Sequence, residues 1–214
     1  MRLLGSAVLG VLILAVMGAL VAVKRLSTGS VLDERPGERP LVRAVNAFNL
    51  AFLLVVNPVA AVLLLTARLE AWDPTHFEVP WPWLRIGVEA VGIAGYVAGG
   101  GLMMWALLTL RASYQLGGME PRPRDALVTG GPYALVRHPM YSAALAMALG
   151  LALAVQSLVC AVVFGVYLVM LRRLMPLEED GLRSAYGEGY ETYAREVPRL
   201  LPLRALNSGE RIAV

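Results

Sequence analysis

Charged and aromatic residues occur together in residues 130–141, directly before a long apolar stretch. The segment reads Gly-Gly-Pro-Tyr-Ala-Leu-Val-Arg-His-Pro-Met-Tyr, and its Tyr133 and Tyr141 offer stacking surfaces with hydroxyl groups. Pro139 disfavours helical backbone in the residue before it, so His138 is expected at the start or break of a helix, where unpaired amides can hold an anion. Ionisable residues at a membrane edge are costly unless something compensates them. We therefore predict a functional site here.

A second polar segment follows the apolar stretch and begins with Glu178-Glu179-Asp180. Acidic residues in the first turn of a helix after Pro176 would favour the helix dipole without any further function. The segment continues with tyrosines at helical spacing, which predict a helix lying back on the rest of the protein, bent near its two glycines. These residues are Tyr186, Gly187, Gly189, Tyr190 and Tyr193, and Val-Pro-Arg-Leu-Leu-Pro follows at 197–202.

The composition indicates an integral membrane protein. Hydrophobic residues make up 57% of the 214 residues and charged residues only 16%, well outside the balance of soluble domains. The length suits one helical bundle, so any chemistry must take place on the bundle itself. The formal charge of +3 comes without a long basic run, which argues against nucleic acid as a partner. The single cysteine, Cys160, cannot form an internal disulfide and is interpreted as a small core residue.

Apolar runs predict an all-α, polytopic membrane bundle of about five transmembrane helices. The predicted spans are residues 3–23, 44–67 and 86–110, followed by a helical hairpin with arms at 141–155 and 158–171. This divides the chain into N-terminal transmembrane helices (1–110) and a cofactor-binding and catalytic region (111–214), the latter made of a loop (111–132), the hairpin (133–171) and a cytoplasmic C-terminal helix and tail (176–214). A cleaved signal peptide is the alternative for the first run, but its positive charges follow the run instead of preceding it.

Individual residues refine these helices. Pro58 predicts a kink in the second span, and the tryptophans at 72, 81 and 83 predict an interfacial connector between the second and third spans. Gly95 and Gly99 predict a small-residue face for close helix packing. Arginine and lysine are concentrated in the loops 24–43 and 111–137 and in the tail, which predicts an inner-membrane protein with its amino terminus outside and both polar segments cytoplasmic.

The combination of the two polar segments resembles the isoprenylcysteine carboxyl methyltransferase family. The resemblance lies in Gly-x-Tyr-x-x-x-Arg-His-Pro-x-Tyr at 131–141, then Glu-Glu-x-x-Leu-x-x-x-Tyr-Gly-x-x-Tyr-x-x-Tyr from 178 and Val-Pro-Arg-x-Leu-Pro at 197–202. It covers residues 127–202 and implies a cytoplasmic S-adenosylmethionine site, with a lipid or prenylated substrate entering from the bilayer. The implied cofactor contacts are Gln115, Leu127, Val128, Tyr133, His138, Pro139, Met140, Tyr141 and Glu178.

The resemblance also implies the catalytic residues Arg173, Glu178 and His138. Eukaryotic members of the family place a substrate-contacting arginine four residues before the cofactor-binding glutamate. This chain has Leu174 at that position, with Arg173 adjacent. Methyl transfer to a carboxylate needs no general base, so His138 is expected to shape the cofactor site, whereas an amine acceptor would need His138 or Glu178 as a base.

Three alternatives stay open from the sequence. The Arg-His-Pro segment also occurs in phospholipid N-methyltransferases and in NADPH-dependent membrane reductases of the sterol reductase and NnrU-like types, for which Arg122 and Arg124 would be phosphate contacts. A nonenzymatic membrane protein is the third. We predict no metal site, because His76 is the only histidine besides His138 and no metal-ligand cluster is visible in the sequence.

Overall fold

The computed structural model describes residues 3–29, 39–111 and 125–201, and Gln115, Arg122 and Arg124 lie outside them. Within these ranges the chain is a helical bundle without β-strands, which confirms the predicted all-α polytopic fold. The helices are α1 (Ser6–Thr28), α2 (Pro40–Leu65), α3 (Leu69–Trp72), α4 (Pro82–Leu110), α5 (Pro139–Val155), α6 (Leu158–Tyr186) and α7 (Glu188–Glu196).

Four of these helices, α1, α2, α4 and α6, are long and apolar enough to cross a membrane, and α5 is a shorter apolar helix of 17 residues. Large apolar side chains such as Val91 and Val162 are 63% and 65% exposed, as expected of helix faces that contact lipid. At 29 residues, α6 is about 43 Å long, whereas a bilayer core is about 30 Å thick. Its last turns, which carry Glu178, therefore extend past the apolar layer.

The end of α6 differs from the prediction. A separate C-terminal helix was expected after Pro176, but α6 runs through Pro176 to Tyr186. Glu178 and Glu179 consequently lie within a long helix, and the interpretation of these acids as residues of a first helical turn is wrong. A proline removes one helical hydrogen bond, a loss that neighbouring turns can accommodate. The predicted bend at Gly187 is confirmed, because this residue has φ +53° and separates α6 from α7.

The interruption of α2 at Pro58 takes the form of a π-helical turn, Phe52–Val56. Proline has no amide hydrogen, and a wider turn is one way for a helix to accommodate its loss. The side chain of Asn57 follows the turn and donates a hydrogen bond of 2.6 Å to the carbonyl of Phe52. The carbonyl groups released by the irregular turn are thereby partly satisfied inside the bundle.

Helices α4 and α5 approach each other closely along glycines. A Cβ atom at Gly92 would lie 2.5 Å from the backbone of α5, one at Gly99 2.7 Å, and one at Gly150 2.5 Å from the amide nitrogen of Tyr96. The predicted small-residue face is confirmed at Gly99, whereas Gly95 is looser, at 3.6 Å. Gly92 and Gly150 were not predicted, because Gly150 becomes informative only when its partner helix is known.

Polar side chains connect the helices inside the bundle. The hydroxyl of Tyr96 donates to Asn57 Oδ1 at 2.7 Å, and both residues are almost fully buried. The hydroxyl of Tyr167 on α6 donates to Asn49 Oδ1 on α2 at 2.5 Å. Such bonds hold helices together where apolar packing alone gives no preference for protein over lipid.

Replacing Tyr96 with phenylalanine is expected to destabilise the bundle by about 0.6 to 1.7 kcal/mol, the range measured for interhelical hydrogen bonds in membranes. Thermal unfolding in detergent measures the loss. The matched control is Tyr190→Phe, since the buried Tyr190 hydroxyl has no hydrogen-bond partner among the described residues and its removal should be neutral or stabilising. Equal losses in both variants would contradict a stabilising role for the Tyr96 bond.

The connections place the two histidines at opposite ends of the bundle. The hairpin turn between α5 and α6 is made by Gln156, at φ +54°, and Ser157, whose hydroxyl caps α6 by accepting from the amide of Cys160. His76 lies beside this turn. His138 immediately precedes α5 and faces the far end of α6, so it lies at the other end of the bundle.

Candidate active site

The carboxylate of Glu179 is the centre of a buried ion cluster. The Glu179 side chain is 0% exposed and accepts hydrogen bonds from Arg199 at 2.7 and 2.9 Å and from Arg137 at 3.0 Å. His138 Nε2 lies 3.2 Å from Glu179 Oε1, and Arg183 is 3.5 Å from Oε2. A buried carboxylate requires such partners, because an unpaired one would be strongly destabilising.

Residues 197–200, which we call the C-terminal strap, cover the start of α5. The backbone amides of Arg137 and His138 donate to the carbonyls of Pro198 and Arg199 at 2.8 and 3.0 Å. The hydroxyl of Ser142 donates to the carbonyl of Leu200 at 2.7 Å, and the Arg137 guanidinium donates to the carbonyls of Ala194 and Val197. The strap and the Glu179 cluster together fix the backbone of the Arg-His-Pro segment.

Glu178 points to a different side of α6 from Glu179, since successive helical residues are about 100° apart. Its Oε2 accepts a 2.8 Å hydrogen bond from the hydroxyl of Tyr141 and lies 3.7 Å from His138 Nδ1. The rings of His138 and Tyr141 are stacked, with centroids 5.4 Å apart and planes at 12°. The Glu178 side chain is 22% exposed. Three residues predicted as cofactor contacts thus lie together, with His138 and Tyr141 buried and Glu178 partly exposed.

The other predicted cofactor contacts lie around this group. Pro139 is buried and Met140 half-buried in the first turn of α5. Tyr133 is half-buried in a short 3-10 helix, Gly131–Ala134, and its carbonyl accepts from the Tyr193 hydroxyl at 2.7 Å. Leu127 and Val128 are half-buried in the segment before it.

Arg173 does not join the other predicted catalytic residues. It is exposed on α6, whereas Leu174 is fully buried. A separation of five residues places Arg173 about 140° around the helix from Glu178. Any contact with a substrate would have to be made from that other side of α6.

Hydrogen bonds to Glu179 raise the pKa of the Arg199 guanidinium above its usual range, so this residue is a permanent cation. Burial raises the pKa of Tyr190, which packs against Tyr193 on the same helix, to about 12. Tyr190 is therefore neutral at physiological pH, and neither residue provides a base for catalysis.

The family model for phospholipid methyltransferases matches residues 88–189, just under half of the chain. This range covers most of α4 and all of α5 and α6, but not Arg199 and the rest of the strap. The protein-S-isoprenylcysteine O-methyltransferase of Schizosaccharomyces pombe is 37% identical over 78 residues, which are 36% of this chain and 33% of that protein. The family model and the yeast relative support a place for the chain in the phospholipid methyltransferase family. This family includes proteins like the isoprenylcysteine methyltransferases, so the resemblance noted in the sequence is confirmed.

Two bacterial relatives match this chain over more of its length. The nickel-cobalt-cadmium resistance protein NccN of Alcaligenes xylosoxydans xylosoxydans is 25% identical over 80% of this chain and 72% of its own length. The cobalt-zinc-cadmium resistance protein CzcN of Cupriavidus metallidurans is 29% identical over 79% and 73%. The family and the yeast relative support a multi-pass membrane methyltransferase.

The roles of Glu179, Arg137 and Arg199 were not predicted from the sequence. Each lies in one of the quoted motifs, but each was assigned no site role. The available signal was the presence of opposite charges in the motifs, since Arg137 and Arg199 are cationic and Glu179 is anionic. Buried charges are paired as a rule, but only the fold shows which of Glu178 and Glu179 points inward.

Proposed function

We propose that this protein is an S-adenosylmethionine-dependent membrane methyltransferase that methylates a lipidic carboxylate, of the kind found in isoprenylcysteine. The observation that carries the proposal is the contact of Glu178 on α6 with Tyr141 and His138 at the start of α5, since all three are predicted cofactor residues. Methyltransferases of this type generally use S-adenosylmethionine. In this proposal residues 111–214 form the cofactor-binding and catalytic region, and residues 1–110 anchor it in the membrane.

The chemistry of the side chains fits this cofactor. Glu178 offers a partly exposed carboxylate, which can accept hydrogen bonds from hydroxyl or ammonium groups. The first turn of α5 is a helix amino terminus, whose partial positive charge suits a carboxylate group. Tyr133 offers an aromatic face for a purine ring. When bound, the cofactor supplies a methyl group on a sulfonium, and the leaving group is a neutral thioether.

The site then has to align the cofactor with the acceptor and to exclude water from both. A carboxylate acceptor needs no base. Alignment in such reactions is worth about 7 to 11 kcal/mol. Glu179 and the C-terminal strap serve this purpose by fixing the backbone of Arg137 and His138. His138 has one ring nitrogen on Glu179 and the other facing Glu178, so its proposed role is to orient these groups. We propose Arg173 as the contact to the acceptor carboxylate, reached from the exposed side of α6.

The distribution of basic residues supports an orientation in the inner membrane with this site and the carboxyl terminus cytoplasmic and the amino terminus outside. Soluble cofactor would reach Glu178 from the cytoplasm, and the acceptor would arrive from the lipid beside α5 and α6.

Calorimetry on the detergent-purified protein tests the cofactor. Saturable binding of S-adenosylmethionine is expected in the wild type. Replacing Glu178 with glutamine should weaken it by about tenfold or more, since a hydrogen bond to a charged group is worth about 1.5–3 kcal/mol. Tyr141→Phe should weaken it less. Glu188→Gln, an exposed acid on α7, is the matched control. Absence of binding in the wild type would overturn the cofactor assignment, and unchanged binding in Glu178→Gln would overturn the role of Glu178.

The acceptor class is tested separately, because the matching family model is that of phospholipid methyltransferases and an amine acceptor is the second candidate. Lipid extracts are incubated with the protein and a methyl-labelled cofactor, and the products are treated with mild alkali. A methyl ester releases labelled methanol, whereas an N-methyl group stays on the lipid. Release of methanol is the expected result, and alkali-stable label would favour the phospholipid N-methyltransferase.

A further inference from the structure

At the end of the bundle opposite the candidate active site, three side chains with metal-binding groups converge. One ligand atom each from Glu70, His76 and Glu78 lies within 4.8 Å of the others. Glu70 is on α3, and the other two are in the loop between α3 and α4. From the sequence we expected no such cluster, because the only nearby histidine stands alone in an interfacial loop. The fold supplies the two carboxylates.

The histidine is oriented as a metal ligand would be. His76 Nδ1 is 3.0 Å from the carbonyl oxygen of Val155. A carbonyl only accepts hydrogen bonds, so Nδ1 carries the hydrogen and the Nε2 of a neutral ring has a free lone pair. A hydrogen bond from the second ring nitrogen to a carbonyl is the usual support of a metal-bound histidine.

The second ring nitrogen is buried and has no hydrogen-bond partner among the described residues. The His76 side chain is 7% exposed, and its Nε2 points toward Glu70, whose Oε1 is 3.8 Å away, too far for a hydrogen bond. A buried polar atom without a partner is costly. A cation between Nε2 and the two carboxylates would satisfy it.

The backbone around His76 is held rigidly against the hairpin turn. Phe77 donates its amide to the carbonyl of Gln156 at 3.0 Å, and Leu158 donates to the carbonyl of Thr75 at 3.3 Å, on either side of a bridge between His76 and Ser157. In such an extended segment, the side chains of residues two apart point to the same side. The side chain of Glu78 therefore lies on the same side of the segment as that of His76.

The two carboxylates are exposed and can adjust. Their side chains are 63% (Glu70) and 56% (Glu78) exposed. Metal–ligand bonds of about 2.0–2.2 Å place ligand atoms no more than about 4.4 Å apart, so small rotations of these glutamates close the site. Arg85 Nη2 lies 2.9 Å from Glu78 Oε1. This ion pair can persist while the other carboxylate oxygen of Glu78 binds the metal ion.

We propose that Glu70, His76 and Glu78 bind a divalent first-row transition ion such as Zn²⁺, Co²⁺ or Ni²⁺. An imidazole nitrogen favours these ions over Mg²⁺ and Ca²⁺, which prefer oxygen ligands alone. The ion would have three protein ligands, two of which are exposed carboxylates, so coordination positions remain for solvent. A bound ion would tie α3 and its following loop to the hairpin turn. The site is separate from the proposed methyl-transfer site and independent of it.

The test uses the full chain in detergent, stripped of metal and freed of any histidine tag, since the protein itself has only two histidines. Titration with Co²⁺ is followed by its visible absorption, and Zn²⁺ binding by calorimetry. One ion per chain is expected, with a rise in melting temperature. Glu70→Gln and Glu78→Gln should each weaken binding by about tenfold or more, and His76→Gln should abolish it. Glu188→Gln is the control and should bind as the wild type does.

Absence of saturable Co²⁺ or Zn²⁺ binding in the wild type would overturn the proposal, as would binding that persists in His76→Gln. If His76→Gln fails to fold, the two exposed glutamate variants decide the matter. S-adenosylmethionine binding should be unchanged in Glu70→Gln and Glu78→Gln, so failure of the metal site and failure of the proposed function give different results.

Discussion

Replacing Glu179 with glutamine is expected to lower the melting temperature by about 6 °C or more and to abolish cofactor binding. The substitution keeps the shape of the side chain but leaves Arg137 and Arg199 without their buried anion. Removing one partner of a buried ion pair costs about 3–5 kcal/mol, and 1 kcal/mol corresponds to about 2–4 °C in a protein of this size. We expect a loss near the lower end of the range of about 3–5 kcal/mol, because Arg199 is 47% exposed and its guanidinium can turn to water.

Thermal unfolding in detergent provides the first measurement and calorimetry with S-adenosylmethionine the second. Asp180→Asn is the matched control, since the neighbouring Asp180 side chain is 69% exposed and pairs with Arg183 at the surface. An exposed pair contributes about 0–1 kcal/mol, so this variant should behave as the wild type does. Glu179→Gln with an unchanged melting temperature would show that the ion cluster does not hold the strap.

Substituting Gly150 with valine is expected to disrupt the bundle. A Cβ atom at this position would lie 2.5 Å from the amide nitrogen of Tyr96 and 2.6 Å from the carbonyl oxygen of Gly92. Both are backbone atoms, so α4 and α5 would have to separate. Overpacking by a methyl group already costs about 1–3 kcal/mol, and the branched side chain adds more. The yield of folded protein and its melting temperature should fall sharply.

Gly101→Ala is the control for this experiment. Gly101 lies on α4, and nothing is within 4 Å of a Cβ atom built there. Alanine is favoured over glycine inside a helix by about 0.8–1.0 kcal/mol, so this variant should be slightly more stable than the wild type. Gly150→Ala should fall between the two. Tolerance of valine at Gly150 would mean that the two helices are not packed as closely as described.

The helices were predictable from the sequence because their signal is local. Runs of apolar residues of membrane length identify α1, α2 and α4, and the pair Gln156-Ser157 identifies the hairpin turn. The end of α6 was not predictable in the same way. Pro176 is a strong local signal for a helix boundary, but the flanking helical turns continue through it.

The candidate site was predictable as a group of motifs but not in its internal arrangement. The contacts among His138, Tyr141 and Glu178 were expected as a cofactor surface. Which of Glu178 and Glu179 is buried depends on the rotation of α6, which packing against other helices sets. The convergence of Glu70 with His76 likewise depends on where the hairpin turn meets the loop, which no local pattern specifies.

The C-terminal strap has a consequence for biosynthesis. A ribosome delivers residues 137–142 and the hairpin well before residues 197–200, yet the amides of Arg137 and His138 have their partners on the strap. These backbone contacts can therefore form only after the whole hairpin has been synthesised. Until residue 199 has been synthesised, Glu179 lacks the two hydrogen bonds that Arg199 donates. Docking of these four residues on the start of α5 thus completes the Glu179 cluster.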